Sequence, residues 1–497
     1  MLAMKAFQGA GWLVASRFLG RFIDFFTLLI MARMLTPADF GLTALAMSCV
    51  AIVDMVLEVP VTQALVRLPH VDKAHLDTGF TLGALRGLAI SAVLLAVAWP
   101  FAWLNGDPQL VPVILALAFA PIARGLASPG LVMFIRELGF LRNFLLETGG
   151  KLAAFCLAIA TLLLGGGYWA LVVNFVAAPV FSCAISYLLA PYRPALSLSR
   201  LTDFASFVGW FTCAQLVSAV NWQFDRILLG LGGAKETLGR YAVAADLSVM
   251  PTQSLIGPAL QPIMAAFARI KAEDQRLRLA FLKAARFSML ASVPCSLGIA
   301  LTSDLIVEVL LGPKWHGADW LLSLLSLSVM ATPYFQTLYS LSLALGRPEV
   351  IFRLNLYDLA IRSPAVVIGF LQWGAVGMAA ARLVAAAIMA VFYLRWLRSL
   401  LSIGIAEQLL NLWKIAVAAA VMTTGVLGLR GILTPWHLPA PAELALVAAL
   451  GALLYGLTLL ACGMWLAIGA GRLELSDRWW RSRIGADKPG EARDPEA

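Results

Sequence analysis

The sequence predicts an all-α integral membrane protein with about fourteen transmembrane helices, arranged as two pseudo-symmetric six-helix lobes plus two extra C-terminal helices. Three observations support this fold class. Of the 497 residues, 61% are hydrophobic and only 13% are charged, whereas a soluble domain is nearer half apolar and a quarter charged. The apolar residues form runs of about 20, the length of a helix that crosses a bilayer. Parts of the second half of the chain also repeat the first.

Short polar connections separate fourteen apolar runs. Since a segment in lipid satisfies its backbone groups by forming a helix, each run is predicted to be one transmembrane span. The first run exceeds 20 residues and has no small-residue cleavage site, so we interpret it as a retained helix rather than a signal peptide. The runs lie near residues 9–32, 39–66, 80–104, 110–134, 145–164, 168–190, 206–231, 241–268, 284–310, 320–345, 351–372, 374–397, 411–430 and 443–468.

The stretch ARMLTPADFG, residues 32–41, separates the first two runs and carries a helix-start signal. Thr36 is the expected N-cap, Pro37 fits the first helical position, and Asp39 stands three residues after the cap. The pattern predicts a tight outward-facing turn between two helices.

Lys and Arg residues indicate the orientation of the chain. The even-numbered connections and both termini carry 23 of these residues. The odd-numbered connections carry only five, which are Arg33, Lys235, Arg240, Lys314 and Arg430. The positive-inside rule therefore predicts that both termini are cytoplasmic. The net charge of +9 is explained by orientation and by contact with anionic membrane lipids, and no nucleic-acid partner is expected.

An internal repeat appears when the chain is shifted by 198 residues. Gly11-Trp12 then aligns with Gly209-Trp210, and Gly41 aligns with Gly239. Six spans separate the copies, so both have the same orientation, as in transporters built from parallel repeats. The predicted divisions are an N-terminal six-helix lobe (1–200), a second six-helix lobe (201–400), two additional helices (401–470) and a polar, disordered cytoplasmic tail (471–497).

Several motifs together resemble the polysaccharide transporter family, the O-antigen and exopolysaccharide flippases of the multidrug/oligosaccharidyl-lipid/polysaccharide exporter superfamily. The resemblance spans about residues 7–400. Leu231 departs from it, because family members often carry Arg at that position. The motifs are RMLTPADFGL (33–42), SPGLVMFIRELGF (128–140), NWQFDRILLGLG (221–232), LGRYAVA (238–244), ALGRPEV (344–350) and the prolines Pro251, Pro258 and Pro262.

The resemblance implies a secondary transporter of the bacterial inner membrane. Such proteins move an undecaprenyl-pyrophosphate-linked oligosaccharide from the cytoplasmic to the outer leaflet by alternating access of two lobes, driven by a cation gradient. The expected partners are the lipid-linked oligosaccharide, membrane lipids and other polysaccharide-assembly proteins. No cofactor is expected, and the choice between sodium and proton coupling stays open.

Charges within the first two spans are the leading candidates for a site. Arg17, Arg21 and Asp24 share one helical face, and Asp54 and Glu58 are spaced i, i+4 on the next span. If these spans are antiparallel neighbours, depths counted at about 1.5 Å per residue match Arg17 with Glu58 and Arg21 with Asp54. The set is interpreted either as buried salt bridges that permit packing or as a cavity in which arginines bind pyrophosphate and carboxylates bind a coupling ion.

Charges in later spans extend both candidate sets. Arg124, Arg226 and Arg362 join the cavity arginines that bind pyrophosphate or glycan, while Asp225 and Asp358 join the coupling-ion candidates. Asp358 and Arg362 are also spaced for a local i, i+4 ion pair. Three shallower charges, Arg86, Glu147 and Lys151, are expected at the membrane interface.

Other functions fit the sequence less well. The six cysteines lie singly in apolar runs, which predicts neither disulfides nor a metal site. No Gly-rich phosphate loop indicates an ATP site. A multidrug-type exporter of the same superfamily is the main alternative. A membrane glycan polymerase, ligase or glycosyl transferase would need catalytic carboxylates or histidines in a large outer loop, and a pore or assembly protein is the remaining alternative. The sequence therefore predicts a transporter and no enzyme.

Overall fold

The computed structural model describes residues 2–58, 61–62, 65, 70–136, 140–201, 209–232, 234–436, 438–469 and 472–477. Helices dominate this part of the chain. They are α1 (Leu2–Met34), α2 (Pro37–Val56), α3 (Lys73–Leu104), α4 (Leu110–Leu117), α5 (Phe119–Gly125), α6 (Leu131–Arg136), α7 (Phe140–Leu163), α8 (Trp169–Leu189), α9 (Gly209–Gly232), α10 (Lys235–Arg269), α11 (Asp274–Leu301), α12 (Ser303–Ile306), α13 (Ala318–Ser328), α14 (Thr332–Ala344), α15 (Pro348–Leu401), α16 (Ile405–Leu433) and α17 (Ala440–Ala461).

The helices confirm the predicted all-α membrane fold. Among the described residues, nine helices or helix pairs are long and apolar enough to cross a membrane. Two other helices, α1 and α10, are 33 and 35 residues long but carry several charged or amide side chains. Every predicted apolar run is largely helical, while the count of fourteen spans stays a prediction.

Local sequence signals explain how several helices begin and break. The predicted start at Thr36 is confirmed, since its side chain and that of Asp39 form a reciprocal capping box. The run near 110–134 is broken into α4, α5 and α6. The runs near 351–372 and 374–397 are two helices separated by non-helical backbone at Trp373 and Gly374, and α15 denotes both. Gly374 has φ +61° and ψ −146°, a conformation that favours glycine.

The two halves of the chain, which we define as the predicted lobes 1–200 and 201–400, contact each other. The contact residues are ones that the predicted repeat aligns. A Cβ atom added at Gly41 would lie 1.9 Å from the Lys235 carbonyl oxygen, and one added at Gly239 would lie 1.8 Å from the Pro37 carbonyl oxygen. Pro37 and Lys235 are themselves 198 residues apart. The contact is therefore reciprocal, and α2 and α10 cross where neither has room for a side chain.

Further contacts join the halves beside this crossing. The Trp315 indole N–H donates to the Ala32 carbonyl at 2.8 Å, and its fully buried ring lies edge-on to Phe40. Arg33 donates to the carbonyls of the short π-helical turn Val307–Leu311. The largest hydrophobic core includes residues of both halves from this region. The halves are thus firmly packed at one end.

The C-terminal region differs from the sequence prediction. After α17 the chain forms an antiparallel hairpin of β1 (Met464–Gly469) and β2 (Arg472–Asp477). The last predicted run was expected to be helical to 468. Its helix ends at Ala461 instead, and Cys462 and Gly463 form the turn that follows. Because a strand pair satisfies its backbone by cross-strand hydrogen bonds, the first part of the tail is ordered. The disorder predicted for residues 478–497 lies outside the described residues.

Candidate functional site

A central cavity of about 420 Å³ lies between the two halves, where α1 and α2 face α9 and α10. Its walls combine polar side chains from both halves with a smaller number of apolar ones. The polar lining residues are Arg21, Asp24, Thr27, Thr43, Asn174, Gln223, Asp225, Arg226, Tyr241, Asp246, Gln253 and Arg382.

A second cavity, which we call the charged chamber, has a volume of about 390 Å³ and adjoins the first. The two share Arg21, Asp24 and Gln253. The charged chamber also receives Arg17, Lys151 and Glu147, so three cations and two carboxylates line it. Arg17 and Arg21 both line this chamber, while their role in substrate binding stays a prediction.

The hydrogen-bond partners of Arg17 and Arg21 are neutral. Arg17 donates to the Gly257 carbonyl at 3.1 Å, and Arg21 donates to the Gln253 side-chain oxygen at 2.8 Å. Both partners lie on α10, in the other half of the molecule. In the described part of the chain, neither guanidinium forms an ion pair with a carboxylate.

The predicted pairing of these arginines with α2 is wrong. Asp54 instead accepts hydrogen bonds from Arg86 and Arg124, each at 2.8 Å. The two-residue connection after Met34 holds the ends of α1 and α2 together, but their axes diverge. Helix α1 packs against α7 and α10, whereas α2 packs against α9 and α10. Glu58 follows the C-terminus of α2 and is not among the residues that line the described cavities.

Asp24 and Lys151 form an ion pair inside the charged chamber. The Lys151 Nζ atom lies 2.6 Å from the Asp24 carboxylate, and the two side chains are 37% and 36% exposed. Nearby, the Ser16 hydroxyl donates to Glu147 at 2.8 Å. Lys151 and Glu147 were expected at the interface and are found instead on the cavity wall, because α7 packs along the polar face of α1.

Arg86 and Arg124 meet at a close crossing of α3 and α5. A Cβ atom at Gly87 would lie 2.5 Å from the Pro121 carbonyl, so the helix backbones nearly touch. Arg86 also donates to the carbonyls of Asp54 and Leu57 and thereby caps the C-terminus of α2. Arg124 is held by Asp54 and does not line the central cavity or the charged chamber.

Asp225 belongs to a buried cluster in the second half. Its Oδ2 atom accepts from Arg382 at 2.7 Å and from the Tyr241 hydroxyl at 2.9 Å. The Asp225 side chain is 3% exposed and that of Arg382 is 18% exposed. Arg226, the next residue, pairs with Asp246 at 2.7 Å on the cavity wall.

Asp358 and Arg362 lie deeper in the second half and line a side pocket of about 150 Å³. Their i, i+4 ion pair is loose, with Nε and Oδ2 separated by 3.8 Å. Asn221 bridges them, donating to Asp358 at 2.7 Å and accepting from Arg362 through its own oxygens. These hydrogen bonds hold α9 against the segment of α15 that precedes Trp373.

Sequence reasoning missed Lys151, Arg86 and Arg382 as cavity or buried-pair residues. Arg382 was detectable, because it is an isolated charge inside the apolar run 374–397. Lys151 was not, since its depth depends on how α7 lies against α1. Leu231, the departure from the family pattern, lies at the C-terminal end of α9 with 54% of its surface exposed, and is not on the wall of the described cavities.

A helical multi-pass membrane protein with a charged cavity between two packed halves has the architecture of a transporter. The chain belongs to the family described as "Polysaccharide biosynthesis protein", which it matches over residues 30–319. It is similar to the lipopolysaccharide biosynthesis protein WzxC of Escherichia coli (strain K12), with 23% identity over 83% of this chain and 85% of the relative. It is also similar to the succinoglycan biosynthesis transport protein ExoT of Rhizobium meliloti (strain 1021), with 22% identity over 73% and 74% of the two chains.

Among solved structures, the chain has the fold of the lipid II flippase MurJ in an inward closed conformation. The superposition has a TM-score of 0.72 with 13% sequence identity, and it covers 91% of this chain and 98% of the MurJ chain. The likeness covers nearly the whole molecule, so the overall arrangement of the helices is shared.

Proposed function

We propose that this protein is a flippase that moves an undecaprenyl-pyrophosphate-linked oligosaccharide repeat unit from the cytoplasmic to the outer leaflet during polysaccharide biosynthesis. Membership of the polysaccharide biosynthesis family and similarity to ExoT, named as a transport protein, support transport rather than catalysis. The MurJ-like fold supports a lipid-linked cargo. The bacterial inner membrane is the proposed location, with both termini in the cytoplasm.

The main support for this proposal is that the hydrogen-bond partners of Arg17 and Arg21 are neutral. A cation at the centre of a membrane helix costs about 2.5–3.5 kcal/mol or more. Two such arginines side by side, with a carbonyl and an amide as their hydrogen-bond partners, retain their full positive charge toward the chamber. A pyrophosphate offers the paired oxygens that guanidinium groups bind in bidentate fashion. Arg124, Arg226 and Arg362 already lie next to carboxylates, so we assign them supporting roles.

Lys151 is the third cation of the charged chamber, and a ligand anion could replace Asp24 as its partner. An incoming phosphate would compete with Asp24 for the Lys151 ammonium, because both anions need the same donor. Release of Asp24 would free a carboxylate in an accessible chamber, which is a site for a proton or a sodium ion. We therefore propose Asp24 as the coupling residue. Asp54, Asp225 and Asp358 are held by arginines, and Glu58 is not part of the lining of the described cavities.

The packing of the halves indicates which side of the membrane the cavity faces. The Gly41–Gly239 crossing packs the halves together at the end that the positive-inside rule predicts to be outside. The charged chamber includes Ser16 and Arg17, which precede the central cavity along α1 from its cytoplasmic end. The arrangement supports a state in which cargo enters from the cytoplasmic side.

Substitution of Arg21 tests the proposal. We expect Arg21→Ala to abolish polymer export while protein level in the membrane is unchanged, because the phosphate loses its main ligand. Export is measured as surface polysaccharide in deletion cells complemented with the variant. Arg278→Ala is the matched control, since Arg278 pairs with Glu407 away from the cavities. Normal export by Arg21→Ala would contradict the proposal.

Lipid extraction from the deletion cells identifies the cargo. Undecaprenyl-linked repeat units should accumulate on the cytoplasmic side when the flippase is absent. A chain that instead restores drug resistance to sensitive cells, with no such accumulation, would be a multidrug-type exporter.

A further inference from the structure

The side pocket next to Asp358 has no part in phosphate binding as proposed above. We infer that it is a sugar subsite that binds one uncharged monosaccharide unit of the cargo and so selects among oligosaccharides. The inference rests on the proposed function, and it adds a specificity site to it.

The position of the side pocket suits the first sugars of a lipid-linked chain. It shares Trp222, Val249, Gln253 and Arg382 with the central cavity, so the two spaces adjoin. Gln253 also lines the charged chamber and holds the Arg21 guanidinium. A ligand whose pyrophosphate lies on Arg21 therefore has its sugars within reach of the pocket. At about 10–15 Å³ for each water-sized group, 150 Å³ holds roughly one monosaccharide.

The lining of the side pocket matches the surface of a sugar. Phe335 and Tyr393 form a stacked aromatic wall with ring centroids 4.9 Å apart, and Trp222 presents an exposed ring where the pocket meets the central cavity. Aromatic faces cover the apolar C–H face of a pyranose. The planar amides of Gln336 and Asn355 supply donors and acceptors for its hydroxyl groups.

Unpartnered polar atoms in the side pocket point to a missing hydrogen-bonding ligand. Thr252 is 2% exposed, and its hydroxyl oxygen has no hydrogen-bond partner in the described part of the chain. The side-chain oxygen of Gln336 also has no hydrogen-bond partner among the described residues. Because buried polar atoms are nearly always satisfied, we expect these two side chains to change rotamer and bond to a ligand that occupies the pocket. Sugar hydroxyl groups are donors and acceptors that serve both atoms.

The charges around the side pocket favour an uncharged sugar. Arg382 is paired with Asp225, and Arg362 lies beside Asp358 and is held by Asn221. Each pocket arginine therefore has a carboxylate beside it, although Asp225 itself lies on the central cavity, whereas Arg17 and Arg21 of the charged chamber have neutral partners. A phosphate or a uronic acid would have to displace one of these internal carboxylates.

Direct binding to the purified full-length protein tests the subsite. The two probes are the lipid-linked repeat unit extracted from deletion cells and bare undecaprenyl pyrophosphate. We expect the wild type to bind the glycosylated lipid about tenfold more tightly, since each satisfied buried acceptor is worth one to a few kcal/mol. Thr252→Val and Asn355→Ala should bring that ratio close to one and leave the affinity for the bare carrier unchanged.

Two controls separate the possible failures. Thr423→Val, on α16 outside the cavities, should keep both affinities, and Arg21→Ala should lose both. Unchanged binding of the bare carrier also shows that the pocket variants are folded. A wild-type ratio of one, or pocket variants that keep the tenfold ratio, would overturn the subsite alone. A wild type that binds neither lipid would overturn the proposed flippase function and the subsite with it.

Discussion

Arginine side chains inside this membrane protein differ in the charge of their partners. Arg17 and Arg21 donate to neutral oxygens, whereas Arg124 and Arg382 are held by buried or half-buried carboxylates. A paired arginine is already neutralised, and a ligand anion would first have to displace its carboxylate. The partner, more than the depth in the membrane, therefore separates arginines that stabilise the fold from arginines that are free to bind an anion.

The Asp225–Arg382 pair provides a stability test at this scale. We expect Asp225→Ala to lower the free energy of unfolding by about 3–5 kcal/mol, because it leaves Arg382 without its carboxylate in a buried cluster. Arg382→Met should also destabilise. The double variant should be more stable than Asp225→Ala, since no charge is then left alone. Thermal unfolding in detergent measures this, and strictly additive losses would show that the pair does not act as a unit.

At the scale of helices, close crossings determine how the halves meet. Glycine allows the backbones of α2 and α10 to touch, and reciprocal contacts at Gly41 and Gly239 leave no space for a methyl group. Helix backbones can approach this closely only where the residues at the crossing point are small. Because the same contact joins the two halves beside the central cavity, we expect it to act as a gate at this end.

Gly239→Ala should open the outer end of the cavity. The added methyl group would lie 1.8 Å from the Pro37 carbonyl, so α2 and α10 must separate. We expect a cysteine placed at Ala44, on the cavity wall, to react several-fold faster with a membrane-impermeant maleimide added from outside, in a background without the native cysteines. Gly428→Ala, where the methyl group meets nothing within 4 Å, is the control. Equal labelling of the two variants would argue against a gate at this crossing.

For the whole molecule, several contacts between the halves lie at the end that the positive-inside rule predicts to be outside. Arg33 of the first half binds the turn after α12, and Lys235 of the second half pairs with Asp107 at 2.7 Å. Transport by alternating access requires these contacts to break and re-form. These polar contacts lie beside the apolar packing of Trp315 against Phe40, so separating the halves breaks polar contacts and also exposes apolar surface.

A cross-link between the halves should stop transport. We expect a cleavable methanethiosulfonate cross-linker between Asp107→Cys and Lys235→Cys to block polymer export, and reduction to restore it. The matched control joins Asp304→Cys and Arg430→Cys, an ion pair outside the interface between the halves. Export that continues with the first cross-link intact would show that the halves need not separate there.

Much of the fold was predictable from the sequence because the bilayer restricts the backbone to a few solutions. Apolar runs of about 20 residues become helices whatever their neighbours are. The Thr36–Asp39 capping box was also predictable, because it depends only on residues within one turn, and the structure confirms it. The repeat aligns Gly41 with Gly239, but only the structure shows that the two helices touch at these glycines.

The site was predicted only in part, since helical spacing gives the face of one helix and not its neighbour. Arg17 and Arg21 line a cavity, as one of the two interpretations of the sequence expected, but their partners differ from the predicted ones because α1 and α2 diverge after a short turn. Lys151 and Gln253 reach the site from helices more than 100 residues away in the chain. No pattern within one segment contains that information.

The sequence by itself determined that this protein is a helical membrane protein with arginines and carboxylates buried in its spans. It did so because hydrophobicity and backbone hydrogen bonding act along the chain. Only the tertiary structure decided which charges are neutralised, which face a cavity, and which residues line the side pocket. The physical reason is that electrostatic pairing and cavity shape depend on distances between helices that are remote in sequence.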